Sequence, residues 1–320
     1  MIGWHHWAVV CDLPEVFTVA QALSWGLSRS QLLGSRFSRV FRGVYTTGDP
    51  NDITTRAQAA LLIGGTGALL GSVTVLRLMG VWLPSPMRDD QRIHVVVPAS
   101  RDGSQVSGIV IERAPIVLPP VEVINGVHGI HPAQAWLQLA CHISETELVI
   151  VTDALMYRGR KLASRDDLQH LLQRLHRRRC VIQASAALNR ARPGVRSPME
   201  TRLRLALVNT GLPCPEVDFA LRPHRDSTCY RLSMAYPSAH IGVEFDNTPY
   251  SDDSGRWHYD RTRRREIEDA GWRLITATAK DFQNLGPLVA SVKAALKARS
   301  PETMRQTSLS RSVLASPSRV

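Results

Sequence analysis

Two carboxylates placed two residues apart are the first feature of this chain that could carry out chemistry. Glu244 and Asp246 lie in a run that alternates like a β-strand, so both side chains are expected on one face. Such a pair beside a basic helix suits Mg²⁺, which takes one or two protein carboxylates and fills its shell with water and phosphate oxygens. The bound metal would generate hydroxide and stabilise a leaving oxygen, as in phosphodiester hydrolysis. Carboxylate pairs also occur by chance on exposed strands, so the pair alone leaves both interpretations open.

The elements that position this pair are predicted to form one α/β unit over residues 197–298. Ser197 and Glu200 have the types and spacing of a helix N-terminus, and Gly211 suits the end of that helix. Further strands and one charged helix follow, giving the order α-β-β-β-α-β. Residues 299–320 are rich in Ser, Arg and Thr, which predicts a disordered tail. The predicted strands are 216–220, 230–235, 240–245 and 272–278, and the charged helix is 256–270.

A second group of residues that could bind phosphate lies near the N-terminus. Thr18 and Ser28 each precede a glutamine by three residues, which is capping-box spacing, and Gly26 suits the turn between two short helices. Apolar residues interleaved with arginines then predict a β-hairpin. Helix, turn, helix and hairpin over 14–50 are typical of a winged helix-turn-helix, which binds DNA or, alternatively, only protein. The candidate DNA contacts are Arg29, Ser30, Arg36, Arg39 and Arg42.

The chain between these two regions completes a multidomain α+β protein. Residues 51–160 are predicted as a middle α+β unit, with a helix at 68–79 and a buried strand at 148–152. Asp153 is then expected to cap the next helix. Residues 161–196 are predicted as a helix followed by a basic connector, whose charge is either a solvated surface or a phosphate-binding segment. Its candidate DNA contacts are Arg177, Arg178, Arg179, Arg190 and Arg192.

The net charge favours a polyanionic partner, and DNA before a membrane. Lys and Arg number 39 against 28 Asp and Glu, a formal charge of +11. Residues 156–198 contain eleven Lys and Arg against two Asp and Glu, whereas residues 1–60 contain five against four. The expected address of the DNA backbone is therefore the connector beside the C-terminal unit, more than the N-terminal helices.

The cysteines and the N-terminus predict a cytoplasmic protein without a membrane anchor. The cysteine count is odd and no two form a CxxC pair, so neither a disulfide framework nor a structural zinc site is expected. No signal peptide is recognisable. The uncharged stretch 57–76 contains a glycine cluster, which favours a turn between two short buried helices over a membrane span. The cysteines are Cys11, Cys141, Cys180, Cys214 and Cys229.

Several short motifs give these two terminal regions a family resemblance. The C-terminal segments SPMETRLR (197–204), GLPCPEV (211–217), VEFD (243–246), DRTRR (260–264) and AGWRLI (270–275) resemble a bacterial family of endonuclease-like domains. This family is related to the very-short-patch mismatch repair endonuclease, within the PD-(D/E)XK nuclease fold. The N-terminal segments VFTVAQAL (16–23), GLS (26–28) and RGVY (42–45) resemble the winged-helix domain of AbiEi-type abortive-infection antitoxins. The combination resembles multidomain actinobacterial proteins, and the middle unit matches least.

The resemblance implies a metal-dependent endonuclease site, but the match is incomplete. The matching positions would make Glu244 and Asp246 metal ligands. The family's metal-bridging aspartate on the preceding strand is Ser233 here, and serine is a neutral, weak ligand for Mg²⁺. The family histidine after the carboxylate pair is also missing, where residues 247–250 read NTPY. Glu200 or Asp252 could fill the gap. The other positions that match are Asp260, Arg264 and Glu200.

These losses favour a DNA-interacting protein whose endonuclease-like domain is degenerate. Losing a single general acid or base lowers a rate by about a hundredfold to ten-thousandfold. The sequence therefore predicts a non-catalytic DNA-binding or antitoxin-like regulator, with a toxin or another protein as a further partner. The first alternative is a Mg²⁺-dependent DNA endonuclease in which Arg264 contacts the scissile phosphate. The second is a protein-interaction module without a DNA role.

Overall fold

The computed structural model of the chain describes residues 13–97, 106–175, 179–223, 228–246 and 254–299. Its contacts divide the chain into two compact units, each formed from two segments. The first unit contains the chain up to Leu155 together with Leu162–Arg190, and the second contains Met156–Lys161 together with the chain from Ala191 onward. The protein is therefore a mixed α+β protein with more than one unit, as predicted.

The first unit begins with the two short capped helices and the hairpin that the sequence predicts. In each capping box the glutamine backbone N–H donates to the capping hydroxyl, and the glutamine Oε1 accepts from the capping residue's backbone N–H. Gly26 has a φ of 86°, which permits the sharp turn between the helices. A short first strand, absent from the prediction, completes an antiparallel sheet of order β1-β3-β2. The elements are β1 Val16–Thr18, α1 Val19–Ser24, α2 Arg29–Leu32, β2 Ser38–Phe41 and β3 Val44–Thr46.

The rest of the first unit is a five-stranded sheet with helices packed against it. The sheet order is β6-β5-β4-β8-β7, with β5 and β6 parallel. The elements are α3 Ile53–Gly64, β4 Leu69–Leu70, α4 Ser72–Leu78, α5 Ser85–Arg88, β5 Ile93–Val97, β6 Ile109–Arg113, β7 Val121–Ile124, β8 Val127–Gly129, α6 Pro132–Leu139, α7 Glu145–Leu155, α8 Arg165–Arg174 and α9 Arg179–Arg190.

Two secondary-structure predictions for this unit are wrong. Residues 148–152 form the middle of helix α7 instead of a strand, and Asp153 lies inside that helix instead of capping the next one. The helix is buried almost all round, so it lacks the polar face that would have distinguished it from a buried strand. Likewise the helix predicted at 68–79 begins only at Ser72, because Leu69–Leu70 forms a strand.

The predicted basic connector also differs from expectation, because most of it is helix α9. A disulfide joins Cys141, after α6, to Cys180 in the first turn of α9, with the Cα atoms 4.9 Å apart. The sequence argued against a disulfide framework and did not indicate this pair, because helix packing brings together two cysteines separated by 39 residues. Among the helices that the structure describes, none is long and apolar enough to cross a membrane.

The second unit has the predicted order α-β-β-β-α-β and ends in a helix that was not predicted. Its sheet has the order β12-β11-β10-β9, in which β11 and β12 are parallel and the other pairs antiparallel. One hydrophobic cluster joins the sheet to α10 and α12, and another joins it to α11. The elements are α10 Pro198–Asn209, β9 Glu216–Leu221, β10 Tyr230–Tyr236, β11 Ile241–Phe245, α11 Ser254–Asp269, β12 Arg273–Ala277 and α12 Gly286–Ala298.

Candidate functional site

The strands of the second unit align four polar residues side by side. Strands β10 and β11 pair in a register that sets Met234 opposite Val243, so the next residues along, Ser233 and Glu244, are neighbours across the pair. The β9–β10 register extends this row on one side, and the β11–β12 register extends it on the other. From β9 to β12 the row is Asp218, Ser233, Glu244 and Thr276.

A buried carboxylate from the first helix of the unit lies next to Ser233. The Ser233 hydroxyl donates a hydrogen bond to Glu200 Oε1 at 3.0 Å, and the Arg196 backbone N–H donates to Glu200 Oε2 at 2.9 Å. Ser197 caps the helix by accepting from the Glu200 backbone N–H at 3.2 Å. The cap thus fixes the first turn of α10, which directs Glu200 toward Ser233.

Glu244 is held by an arginine of helix α11. Arg263 Nη1 donates to Glu244 Oε2 at 2.9 Å, and Arg263 Nη2 donates to Glu244 Oε1 and, at 3.1 Å, to the Arg231 carbonyl. Both side chains of the pair are less than one-fifth exposed. The hydrogen bonds that Arg263 donates to Glu244 raise the pKa of Arg263, against the opposing effect of burial. The bidentate geometry therefore occupies both carboxylate oxygens of Glu244 with a permanent cation.

The neighbouring arginine, which the sequence favoured, faces elsewhere. Arg264 Nε donates to Glu268 Oε1 at 2.9 Å, one turn along the same helix, and its Nη1 lies 3.4 Å from Thr276 Oγ1. Consecutive helical residues point about 100° apart, so only one of the two adjacent arginines can reach Glu244. Sequence spacing alone gave no way to choose Arg263.

The remaining predicted site residues lie at the edge of this arrangement. Asp246 is exposed and directly follows β11, where its backbone N–H donates to the Ala277 carbonyl at 2.8 Å. Asp260 is exposed on α11. Asp252 and the segment 247–250 lie outside the described residues. The structure thus brings together Glu200, Ser233 and Glu244, with Arg263 added.

These donors do not fit Mg²⁺ as they are arranged. Arg263 takes both oxygens of Glu244, and Ser233 contributes no charge beside it. Over the parts of the chain that the structure describes, no three His, Cys, Asp or Glu side chains are grouped to hold a metal ion. A metal at the row would have to share Glu244 with the Arg263 guanidinium or displace it.

The predicted DNA contacts of the N-terminal helices and hairpin are all at the surface. Every one of them is exposed, and the Arg36 guanidinium lies over the Phe37 ring at 5.7 Å from its centroid. Phe37 in turn packs edge-on against the fully buried Phe17, and this packing holds in place the ring over which Arg36 lies. The contacts in question are Arg29, Ser30, Arg36, Arg39 and Arg42.

Arginines of the predicted connector partly serve to pack the first unit. Arg190 Nη1 forms a 2.7 Å salt bridge with Glu145 Oε1, and Arg165 Nη2 donates to the Leu188 carbonyl at 2.7 Å. Arg192, in the second unit, donates to the Ala191 carbonyl at 2.8 Å. Arg177 and Arg178 lie outside the described residues, and Arg179 is the first residue of α9. The charge counted from sequence is therefore not all available to a ligand.

A cluster that the sequence did not indicate lies at the β9 end of the row. Asp218 Oδ1 accepts from Arg196 Nη2 at 2.8 Å, and Asp218 Oδ2 accepts from Arg231 Nη2 at 2.8 Å. Arg158 Nη1 lies 3.9 Å from Asp218 Oδ2. The three arginines come from three separate segments of the second unit, so no spacing in the sequence marks them as partners.

Comparison with known proteins gives distant relatives and no family. No family model and no solved structure matches the chain. Two curated proteins named as uncharacterized, from Mycobacterium tuberculosis strains CDC 1551 and H37Rv, are each 22% identical over 246 residues. The match covers 77% of this chain and 86% of each relative. The similarity thus extends over most of the chain, across both of its units.

Proposed function

We propose that this protein is a DNA-binding regulator whose C-terminal unit keeps a degenerate endonuclease-like site without phosphodiester hydrolysis. The observation that carries this proposal is the bidentate pair between Glu244 and Arg263. The residue best placed to bind a metal is instead neutralised by a cation. Its neighbour across the strand pair, Ser233, adds no negative charge.

The cost of activating the site supports this proposal. Mg²⁺ at Glu244 would lie next to the Arg263 guanidinium, and it would either share the carboxylate with that cation or displace it. The expected gain in metal–ligand energy has to exceed both the lost hydrogen bonds and that repulsion. A pair that is already satisfied in both partners is therefore a poor starting point for metal-dependent hydrolysis.

Binding to DNA is supported by the exposed arginines of the N-terminal helices and hairpin and by the net charge of +11. The second helix with its arginines would enter the major groove, and Arg39 and Arg42 of the hairpin would meet phosphates. Such a role fits a cytoplasmic location. In an antitoxin-like version of this role, the protein would also bind a toxin or another protein. The hairpin face would then contact that protein partner.

The competing function is a Mg²⁺-dependent endonuclease, and one observation favours it. Glu200 lies 3.0 Å from Ser233 and so brings a carboxylate to the position where the family aspartate is missing. The same PD-(D/E)XK resemblance underlies both proposals. They differ in whether Arg263 stays on Glu244 when DNA and metal are present.

One experiment separates the two functions. Purified protein is incubated with supercoiled plasmid and Mg²⁺ or Mn²⁺, beside a Glu244→Ala variant, and its binding to duplex DNA is measured over a salt series. We expect no nicking above the variant's background, together with DNA binding that weakens steeply between about 50 and 200 mM salt. Nicking by the wild type that disappears in Glu244→Ala would establish the endonuclease instead. Absence of any DNA binding at low salt would leave the protein-interaction alternative.

A further inference from the structure

We infer that the three arginines around Asp218 form a docking site for the phosphates of the DNA backbone. The inference rests on the proposed DNA-binding function and adds its location on the second unit. None of these arginines belongs to the N-terminal helices or to the carboxylate pair. We call Asp218 with Arg158, Arg196 and Arg231 the Asp218 cluster.

The Asp218 cluster contains more positive charge than negative charge. Three guanidinium groups face one carboxylate, so two positive charges are not neutralised within the cluster. One carboxylate offers about four lone-pair sites, whereas each guanidinium carries five N–H donors in a planar fork. The donors therefore outnumber what Asp218 can accept, and phosphate oxygens are the acceptors that this fork matches best.

The cluster is also open to solvent on the arginine side. The Asp218 side chain is 7% exposed, while those of Arg158, Arg196 and Arg231 are 67%, 45% and 39% exposed. The carboxylate thus acts as a buried anchor beneath three accessible cations. An anchored guanidinium loses less rotamer freedom when it binds phosphate than one on an unrestrained side chain.

The backbone at the anchor is shaped for this arrangement. Asp218 lies within β9 but has a φ of 52°, a left-handed conformation that aspartate tolerates better than most residues. Gly194, with a φ of 99°, packs so closely that a Cβ there would lie 3.0 Å from Asp218 Cβ. The segment carrying Arg196 can therefore lie directly against β9. A distorted residue held in a strand by packing is a feature found at functional sites.

The cluster lies beside the row that carries the degenerate site. Arg196 donates its backbone N–H to Glu200, and the Arg231 carbonyl accepts from Arg263. Asp218 itself is the end of the row that includes Ser233 and Glu244. A duplex held by the three arginines would lie along the surface next to that row.

The test compares DNA affinity between two double variants of equal charge. Arg196→Gln/Arg231→Gln removes two arginines of the Asp218 cluster. Arg265→Gln/Arg273→Gln removes two exposed arginines elsewhere in the same unit and is the control. Binding of a short fluorescent duplex is followed by anisotropy over a salt series. We expect the cluster variant to bind roughly tenfold or more weakly and to lower the slope of log K against log[salt] by about 2.

The outcomes distinguish this inference from the proposed function. If the wild type binds DNA and both double variants behave alike, the Asp218 cluster is not the docking site, and the DNA-binding function stands. If the wild type does not bind DNA at low salt, both fail together. Arg158→Gln covers the case in which the cluster variant does not fold, because Arg158 is the most exposed of the three. Its slope should fall by about 1, and an unchanged slope overturns the inference.

Discussion

The Glu244–Arg263 pair and the Asp218 cluster lie on the same row of one sheet but use arginine in opposite ways. At Glu244 one guanidinium meets one carboxylate, and both are mostly buried. At Asp218 three guanidiniums meet one carboxylate, and only the carboxylate is buried. Stoichiometry and exposure together decide whether a charged group is satisfied inside the protein or remains available to a ligand. The first arrangement satisfies its cation inside the protein, and the second leaves guanidinium groups exposed to solvent.

This contrast changes where the protein's chemistry is expected. The residue types first suggested catalysis at Glu244, because carboxylates two apart on a strand can hold a metal. The contacts move the expected function two strands along the sheet, to a cluster in which Arg158 and Arg196 belong to the basic segment 156–198 and Asp218 and Arg231 had no predicted role. The net charge of a segment does not show which of its arginines are available to a ligand. Arg190 forms a salt bridge with Glu145 in the first unit, whereas the Arg158 side chain is largely exposed.

The largest expected effect in this comparison is at the closed pair. Arg263→Ala leaves Glu244 without its partner in a mostly buried position. The free energy of unfolding should fall by about 2–3 kcal/mol, below the full cost of breaking a buried pair because some solvent reaches it. Arg264→Ala is the matched control, with an expected loss of about 0.5 kcal/mol because its pair with Glu268 is exposed. Urea unfolding of both variants measures the difference.

The stability of Arg263→Ala can also contradict the contrast between the Glu244–Arg263 pair and the Asp218 cluster. A loss at Arg263→Ala no larger than that at Arg264→Ala would show that Glu244 is not tightly held and is free to bind a metal. In that case the Mg²⁺-dependent endonuclease becomes the better proposal. The nicking experiment on Arg263→Ala then becomes informative, since that variant would release both Glu244 oxygens.

An intermediate effect is expected at the anchor of the open cluster. Asp218→Asn keeps a side chain that tolerates positive φ, so the change isolates the negative charge. The free energy of unfolding should fall by about 1–2 kcal/mol, because the three arginines are exposed enough for water to solvate them. Thermal and urea unfolding at the same pH measure this loss. A loss as large as that of Arg263→Ala would mean that the cluster is a closed structural network like the pair.

Features set by neighbours in the chain could be predicted from sequence. The capping residues Thr18, Ser28 and Ser197 form the predicted hydrogen bonds, because a cap and its partner are only three residues apart. The order of helices and strands along the chain from α10 to β12 follows from the same local signals. The helix over 148–152 also carries a local signal, because Ser144 and Glu147 form a capping interaction at the first turn of α7.

Features set by distant segments could not be predicted. The choice of Arg263 over Arg264 depends on how α11 is rotated against the sheet, which neighbouring charges do not reveal. The partners of Asp218 come from positions 158, 196 and 231, and Cys141 meets Cys180 through helix packing. Such contacts arise only when separate segments fold together. The sequence therefore predicted the carboxylates Glu200 and Glu244 of the candidate site. It did not predict that Arg263 pairs with Glu244 or that three arginines surround Asp218.

The smallest effect on stability is expected at Arg158. This residue also gives the sharpest test of whether the Asp218 cluster is available to a ligand. Its side chain is 67% exposed and its nearest contact with Asp218 is 3.9 Å, so Arg158→Gln should change the free energy of unfolding by less than about 0.5 kcal/mol. The same variant should still weaken DNA binding, because the guanidinium faces solvent and not the protein interior. Unfolding and anisotropy measured on one preparation compare the two effects directly. Weaker binding with unchanged stability is what a ligand-facing arginine produces. Loss of stability without loss of binding would make Arg158 a structural tie between the two segments of the second unit.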